Sequence, residues 1–388
     1  MDAAIVGLGI TDVGRVYGRS APDFVADAVR RAVADAGLTL ADVDGLLVSS
    51  GTTRDVDVSL QRRLGLRDLR LLSEMQAFGA SAGAMLGHAA AAVTCGLADV
   101  VACVFADAPL RAGESAGAAY AGRRRYALSG AAALRTVAGG NPTVQYALAA
   151  RRHMQAYGTT SEQLGAVAVA QRRWAALNPL AQQREPLTLE QHQASRWIAE
   201  PLHLLDCCLV SNGGAAVVVT RADRAADLAQ PPVHVLGLAQ GHPGQPATRG
   251  SGFGLTTGAA TAGPEALRRA GLRVADVDLL ELYDCYTYTV VVTLEDYGFC
   301  AKGEGGPFVA AGHTAPGGPL PVNTGGGQLS GYYLWGMTPL TEAVTQARGH
   351  AGERQVSRRD VIMVSGNGGI LDHHSTVILS PHPREERR

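Results

Sequence analysis

Apolar residues along the first hundred positions switch between two periods. Residues 3–8 form a short continuous apolar run of the kind that makes a buried strand. From 22 to 36 the positions Phe24, Val25, Ala28, Val29 and Val33 recur at helical spacing. Pro22 suits the first turn of that helix and Gly37 its stop. A buried strand is expected up to Val48, an alanine-rich helix over 84–95 and a strand over 99–105. Further on, the pattern predicts helices over 144–157 and 161–177 with Asn178-Pro179 as a break, a strand over 233–238 and a helix over 254–270. The run Val277, Leu279, Leu280, Leu282 reads as a buried strand that delivers Tyr283 at its end, and another helix begins near Thr338.

One sentence of this text is written twice. Ala36-Gly37-Leu38, followed by Ala41-Asp42-Val43-Asp44 and an apolar strand, returns 234 residues later as Ala270-Gly271-Leu272, then Ala275-Asp276-Val277-Asp278 and another apolar strand. The strand at 233–238 repeats the opening strand, and the helix over 254–270 repeats the first helix. A match of this length indicates an internally duplicated α/β fold, two βαβ-rich units whose parallel-leaning sheets pack through shared helices. The division expected is an N-terminal half at 1–107, an insertion with a return to the first half at 108–230, and a C-terminal half at 231–388.

Composition narrows the function. With 388 residues, 46% of them hydrophobic, the chain can bury a large core. A net charge of −1 and a pI near 6.8 give no electrostatic case for nucleic acid or an anionic membrane. The sequence opens directly on a strand-like run, without a signal-peptide pattern, and no apolar run is long enough to span a bilayer, so the expectation is a cytoplasmic protein. The six cysteines have no paired C-x-x-C spacing and read mostly as small core residues. Gly7-Leu8-Gly9 lacks the third glycine and acidic partner of a dinucleotide fingerprint.

Candidate chemistry concentrates between Leu279 and Thr338. Glu281-Leu282-Tyr283-Asp284-Cys285-Tyr286 ends the predicted strand, and Gly325-Gly326-Gly327-Gln328-Leu329-Ser330-Gly331-Tyr332-Tyr333 precedes a helix, its glycines allowing close approach of backbone to a ligand. This stretch resembles the second half of thiolases of the sterol-carrier, lipid-transfer branch, which carry a His-Asp-Cys-Phe motif and an Asn-Pro-Ser-Gly-Gly…Gly-His-Pro motif in these places. In this correspondence Asn323 keeps the family's Asn, while Tyr283 and Tyr333 stand where both catalytic histidines are found. The double change, with the surrounding wording, resembles the actinobacterial steroid side-chain aldolases. Pro201-Leu202 with Leu205-Asp206-Cys207-Cys208 and Ser211-Asn212-Gly213 resembles a lipid-transfer thiolase passage, with Asn212 in place of Asp. The thiolase nucleophile position falls on Gly79 and the second thiolase cysteine near Ser365, followed by Gly368 in a glycine-rich turn; neither position holds a thiol.

The resemblance implies the thiolase fold, five layers α/β/α/β/α with a loop or cap insertion that covers the site and helps hold coenzyme A. It implies retro-aldol cleavage of a β-hydroxyacyl-CoA: a 17-hydroxy steroid with a C22 side chain giving a 17-ketosteroid and propionyl-CoA. Tyr283 and Tyr333 are the implied catalytic pair, supported by Asn323, Gly79, Ser365 and Gly368. The implied assembly is a homodimer through the thiolase core, joined by a partner with an OB-fold and a zinc ribbon. Zinc is expected only on that partner, and coenzyme A only as part of the substrate. Possible substrate or coenzyme A contacts are Lys302, Cys285, Gly326, Gly327 and Arg124, the last within Arg123-Arg124-Arg125. Lys302, the single lysine, also reads as a solvated cation near a helix C-terminus, as a phosphate contact or as a Schiff-base amine. His313 lies in the connector between the tyrosine motifs, and His373-His374 has no companion metal ligands in sequence. Two other functions fit the chain: a thiolase-like acyltransferase using Cys285, and a silent lipid or acyl-CoA carrier.

Overall fold

The computed structural model describes residues 2–120, 142–244 and 252–384; Arg124 lies outside them. In the first half, β1 (Ala3–Ile10) leads to α1 (Ala21–Asp35), β2 (Gly45–Ser50), the edge strand β3 (Leu71–Glu74), α2 (Ser81–Thr94) and β4 (Val100–Asp107). The middle of the chain holds α3 (Pro142–Tyr157), α4 (Ser161–Ala176), a hairpin of β5 (Trp197–Ala199) and β6 (Leu202–His203), and β7 (Gly213–Arg221). The second half runs β8 (Val233–Gly241), α5 (Ala259–Ala270), β9 (Leu279–Glu281), α6 (Thr287–Tyr297), α7 (Gly305–Ala310), α8 (Met337–Ala347), β10 (Ile362–Gly368) and β11 (His373–Ser380).

Nine strands hydrogen-bond in the order β3-β2-β4-β7-β1-β8-β11-β10-β9. The duplication is visible in that order, because β2-β4-β7-β1 and β9-β10-β11-β8 are the same arrangement met from opposite ends. The two half-sheets join edge to edge through a short antiparallel pairing of β1 with β8. Two parallel-leaning sheets packed through shared helices were expected; the helices between the halves are present, but the seam makes one continuous sheet, and parallel pairing is confined to β2 with β3 and β4 and to β9 with β10, the other neighbours pairing antiparallel. The repeated sentence adopts the same structure twice: Asp42 accepts from Thr39 N at 2.8 Å and Asp276 from Arg273 N at 2.8 Å, each closing a 3₁₀ turn. Asp44 then accepts from Val100 N at 2.8 Å and Asp278 from Val361 N at 3.1 Å, tying each repeat to its next strand.

Strands buried on both faces explain the continuous apolar runs: every residue of β4 is buried, as is β7 up to Arg221. Helix α1 lies on the outer face of the first half-sheet, its buried stripe including Phe24, Val25, Ala28, Val29, Ala32 and Val33. Helices α2 and α8 run between the halves and pack against strands of both. Alanine and glycine on nearly every side of α2 let it fit there. Helix α5 covers the far side of the second half-sheet against β8 and β11, with α6 beside it. This is the layered α/β/α/β/α plan.

Candidate active site

Strand β9 is only three residues long, and the chain then passes through Tyr283-Asp284-Cys285-Tyr286 into α6. Leu282 N donates to Asn323 Oδ1 at 2.6 Å, and Tyr283 N donates to Ser365 Oγ at 2.9 Å. These two buried side chains hold the main chain on either side of the Leu282–Tyr283 peptide, so the ring of Tyr283 points one way. Asn323 adopts the left-handed backbone conformation (φ 54°) that asparagine tolerates.

The second tyrosine is placed by a different device. Residues 327–331 form a single wide turn of π-helix, and the Asp284 carboxylate accepts from Gln328 N at 2.9 Å and from Leu329 N at 3.2 Å. Gly327 is required beneath it, because a Cβ there would overlap the Asp284 carboxylate. Burial pushes the Asp284 carboxyl up to about 7, against the opposing pull of the Gln328 and Leu329 N–H groups. The chain leaves this turn at Tyr332, and Tyr333 N donates to Ser211 Oγ at 2.9 Å. The outcome is a pair of phenols in contact: Tyr283 and Tyr333 hydroxyls lie 3.2 Å apart.

Both hydroxyl-bearing rings line a cavity of about 730 Å³, within the roughly 300–1,000 Å³ of pockets that enclose a sizeable organic ligand. The first half contributes Arg54 and Phe78, the second half Trp335 and the turn at 367–373, and the middle of the chain Tyr146, Ile198, Leu204 and Val210. Four of these residues, Arg54, Phe78, Trp335 and Ile370, have positive φ without being glycine. Such strain is uncommon, especially at a β-branched isoleucine, and gathers at functional sites. The segment 207–209 is stitched to both tyrosine motifs by Cys208 N to Cys285 O at 3.0 Å and Leu209 N to Gln328 O at 2.9 Å.

Gly79 sits against the back of this arrangement. A Cβ at this position would collide with the ring of Tyr283 and with the carbonyl oxygen of Asn367. The space a nucleophile's side chain would need is taken by the tyrosine. Cys285 lines the cavity, but burial pushes its thiol up to about 12, so it is a neutral thiol at physiological pH. Tyr146 packs on Tyr286 with ring centroids 4.6 Å apart, and burial, then Cys285 and Tyr283, hold its phenol well above the ordinary range.

Several expected contacts are corrected by the geometry. Lys302 bonds Asp296 at 2.6 Å and the carbonyl of Leu255 at 2.6 Å, with Glu295 at 3.5 Å. It neutralises two carboxylates of α6 instead of reaching the cavity. Gly326 packs on Ala175 of α4, and Gly327 lies beneath Asp284; neither lines the cavity. His313 packs on Phe308, also away from it. Asn323 and Ser365 stand behind Tyr283 rather than at the cavity surface, whereas Gly368 is part of the lining. Asn212 accepts from Leu110 N at 2.7 Å and donates to Val16 O at 2.9 Å, so it fastens two loops together. His373 and His242 face each other at 3.1 Å at the cavity wall, while the adjacent His374 turns the other way to Tyr297. Among the described residues no three His, Cys, Asp or Glu side chains converge as metal ligands do.

Sequence reasoning missed Tyr146, Trp335 and Asn367. The first two have no signal of their own in a single sequence. Asn367, between Gly366 and Gly368 in the glycine-rich turn, could have been noticed as a large polar residue where small ones surround it.

The family model described as thiolase C-terminal domain-like matches residues 239–381. A steroid side-chain-cleaving aldolase of Thermomonospora curvata is 40% identical, the match covering 94% of this chain and 95% of that one. A 17-hydroxy-3-oxo-4-pregnene-20-carboxyl-CoA lyase of Mycobacterium tuberculosis is also 40% identical, over 94% and 96% of the two chains. Among solved structures, an Ltp2-ChsH2(DUF35) aldolase superposes with a TM-score of 0.85 at 37% identity, covering 98% of this chain and 97% of that chain.

Proposed function

The chain belongs to the thiolase superfamily, in the branch of steroid side-chain-cleaving aldolases, and from that membership we propose that it is a carbon–carbon lyase acting on a steroid acyl-CoA. The substrate is a β-hydroxyacyl-CoA, a 17-hydroxy steroid with a C22 side-chain thioester, and the products are a 17-ketosteroid and propionyl-CoA. The observation that carries this reading is the contact of the Tyr283 and Tyr333 hydroxyls, 3.2 Å apart, in a mainly apolar cavity, with the Tyr283 ring and the Asn367 carbonyl leaving no room for a nucleophile's side chain at position 79.

The chemistry balances with two phenols. One, as phenolate, takes the proton of the β-hydroxyl while the O–H pair becomes the C=O of the ketone. The Cα–Cβ bond breaks, and its electrons pass to the thioester, giving an enolate whose charge rests on the thioester oxygen. The second phenol protonates Cα, and its own proton is restored from the first tyrosine across the 3.2 Å contact. A hydrogen bond from one phenol to the other favours the phenolate of the pair. No acyl-enzyme is required, which agrees with an inactive Cys285 thiol. Coenzyme A enters only as part of the substrate, and this chain's own residues suffice for the proton transfers.

We further propose a hetero-complex with an OB-fold, zinc-ribbon partner that holds the zinc, and a homodimer through the core. The Ltp2-ChsH2(DUF35) aldolase, named for two components, supports the first. The edge position of β3, with Leu72 exposed, supports the second.

The test is to incubate the protein, alone and with such a partner, with a panel of β-hydroxyacyl-CoA thioesters and assay for ketone and the shortened CoA ester. Tyr283→Phe and Tyr333→Phe should each lower kcat about 10²-fold or more, as expected for loss of an acid–base group. Normal turnover by both variants would sink the tyrosine mechanism. Stoichiometric inactivation by thiol alkylation at Cys285 would favour the acyltransferase.

A further inference from the structure

The two phenols account for the protons but not for the charge that builds on the thioester oxygen. An oxyanion needs a donor that gives a hydrogen bond and keeps its proton, and a phenol engaged in proton transfer is a poor choice for that task. An amide N–H is a good one. Two asparagines lie in this region, and their situations differ. Asn323 spends its Oδ1 on Leu282 N, 2.6 Å away, and although its Nδ2 is also without a hydrogen-bond partner among the described residues, Asn323 does not line the cavity. Asn367 has no such commitment: it is 1% exposed, it lines the cavity, and neither its Nδ2 nor its Oδ1 has a hydrogen-bond partner among the described residues.

A buried amide with both ends unpaired carries a desolvation penalty that a folded protein ordinarily avoids. The surroundings make the penalty larger, since Phe78, Trp335 and Ile370 line the same cavity. Its position is set by the fold. Asn367 lies near the end of β10, opposite His374 of β11, and its carbonyl oxygen and the ring of Tyr283 converge on the same point beside Gly79. The backbone of residue 367 is therefore strand backbone beside the ring of one member of the phenol pair, and its side chain belongs to the wall of the same cavity.

We propose that Asn367 is a catalytic residue of this lyase, its side-chain N–H donating to the thioester oxygen of the substrate and to the enolate that replaces it. This assignment rests on the lyase reading above and adds the group that stabilises the departing carbanion. Because the bond strengthens as charge moves onto oxygen, its contribution falls on kcat more than on KM.

Asn367→Ala and Asn367→Asp separate this from a structural role, the second keeping the shape while removing the donor. Three quantities are measured on wild type and variants: kcat and KM for cleavage, exchange of the α-hydrogens of propionyl-CoA in deuterated water, and Tm. The exchange reaction forms the same enolate without any aldol bond. Both variants are expected to lose about 100-fold or more in kcat and in exchange, in the range seen when an oxyanion donor is removed. KM should change less than about threefold, and Tm of Asn367→Ala should be unchanged or higher, because an unpaired buried amide is removed. Wild-type cleavage and exchange with variants within about threefold of it would overturn the assignment alone. Loss of activity that tracks a matching fall in Tm would make Asn367 structural and also overturn it. A wild-type protein that neither cleaves nor exchanges would overturn the lyase reading itself, and this assignment with it.

Discussion

Gly79 is the residue on which the change of chemistry turns. In the thiolase arrangement that position carries the attacking thiol at a helix start; here α2 begins at Ser81 and the Tyr283 ring stands where the side chain would be. A side chain at 79 and a tyrosine at 283 thus compete for one volume. Gly79→Ala should lower Tm and cut kcat about 10²-fold, since overpacking costs about 1–3 kcal/mol and pushes Tyr283 from its partner. Adding Tyr283→Ala should recover part of the stability lost by Gly79→Ala, the Asn367 carbonyl still limiting the fit. Strict additivity of the two changes in Tm would show that the side chains do not share the space. At this scale the sequence was partly legible. The two tyrosines and Asn323 sit in recognisable motifs, but the partners that orient them, Ser211 and Ser365, are brought from 122 and 82 residues away by the sheet. Nothing in local spacing reports such contacts. Lys302 misled for the opposite reason: a lone cation among glycines invites a ligand, and only the fold shows Asp296 and Glu295 waiting for it.

Among the elements, α6 shows how burial overrides local preference. Its run Thr287 to Thr293 is rich in β-branched residues, which favour strands, yet it forms a helix with all eleven residues buried. A helix enclosed on every side needs apolar residues all round, and Val290, Val291 and Val292 supply them. The turn at 327–331 depends instead on one carboxylate, Asp284, and that dependence has a pH signature. Burial raises its pKa in the folded state to about 7 from the ordinary 3.8. The folded protein therefore binds more protons than the unfolded chain between these values, and Asp284's contribution to stability is full below about pH 4 and is lost as pH rises through 7. Asp284→Asn cannot titrate, so the stability of wild type relative to the variant should fall over that window, by roughly 4 kcal/mol at most. His374, buried and held down to about 3, acts oppositely, its contribution present above pH 6.5 and lost as pH falls toward 3. It is common to both proteins and cancels in the difference. Urea titrations at pH 4.5, 6 and 8 measure that difference; a value independent of pH would mean that Asp284 is not buried as described.

For the whole molecule the repeat carried the most information. A sentence recurring after 234 residues implied two halves, and the structure answers with matched strand orders, matched 3₁₀ turns and matched aspartates. What a repeat cannot express is how its copies meet, because the pairing of β1 with its own repeat β8 and the packing of α2 and α8 across the seam are contacts between the copies, not within either of them. One such contact is open to test. Arg348, just after α8, pairs with Asp35 at the end of α1 at 2.7 Å, and Asp35 also accepts from Leu8 N of β1 at 2.8 Å. The Arg348 side chain is 2% exposed and that of Asp35 25%, so removing the cation strands a carboxylate that water only partly reaches. Arg348→Met should destabilise the protein by about 3 kcal/mol, the lower end for breaking a buried pair. Because the pair joins the second half to the first, the loss should appear as a downward shift of one cooperative transition in calorimetry, not as early melting of one half. Turnover per folded molecule should be unchanged, since neither residue lines the cavity. Two resolved transitions in the variant would show that the halves fold independently and that the seam is a weak interface rather than part of a shared core.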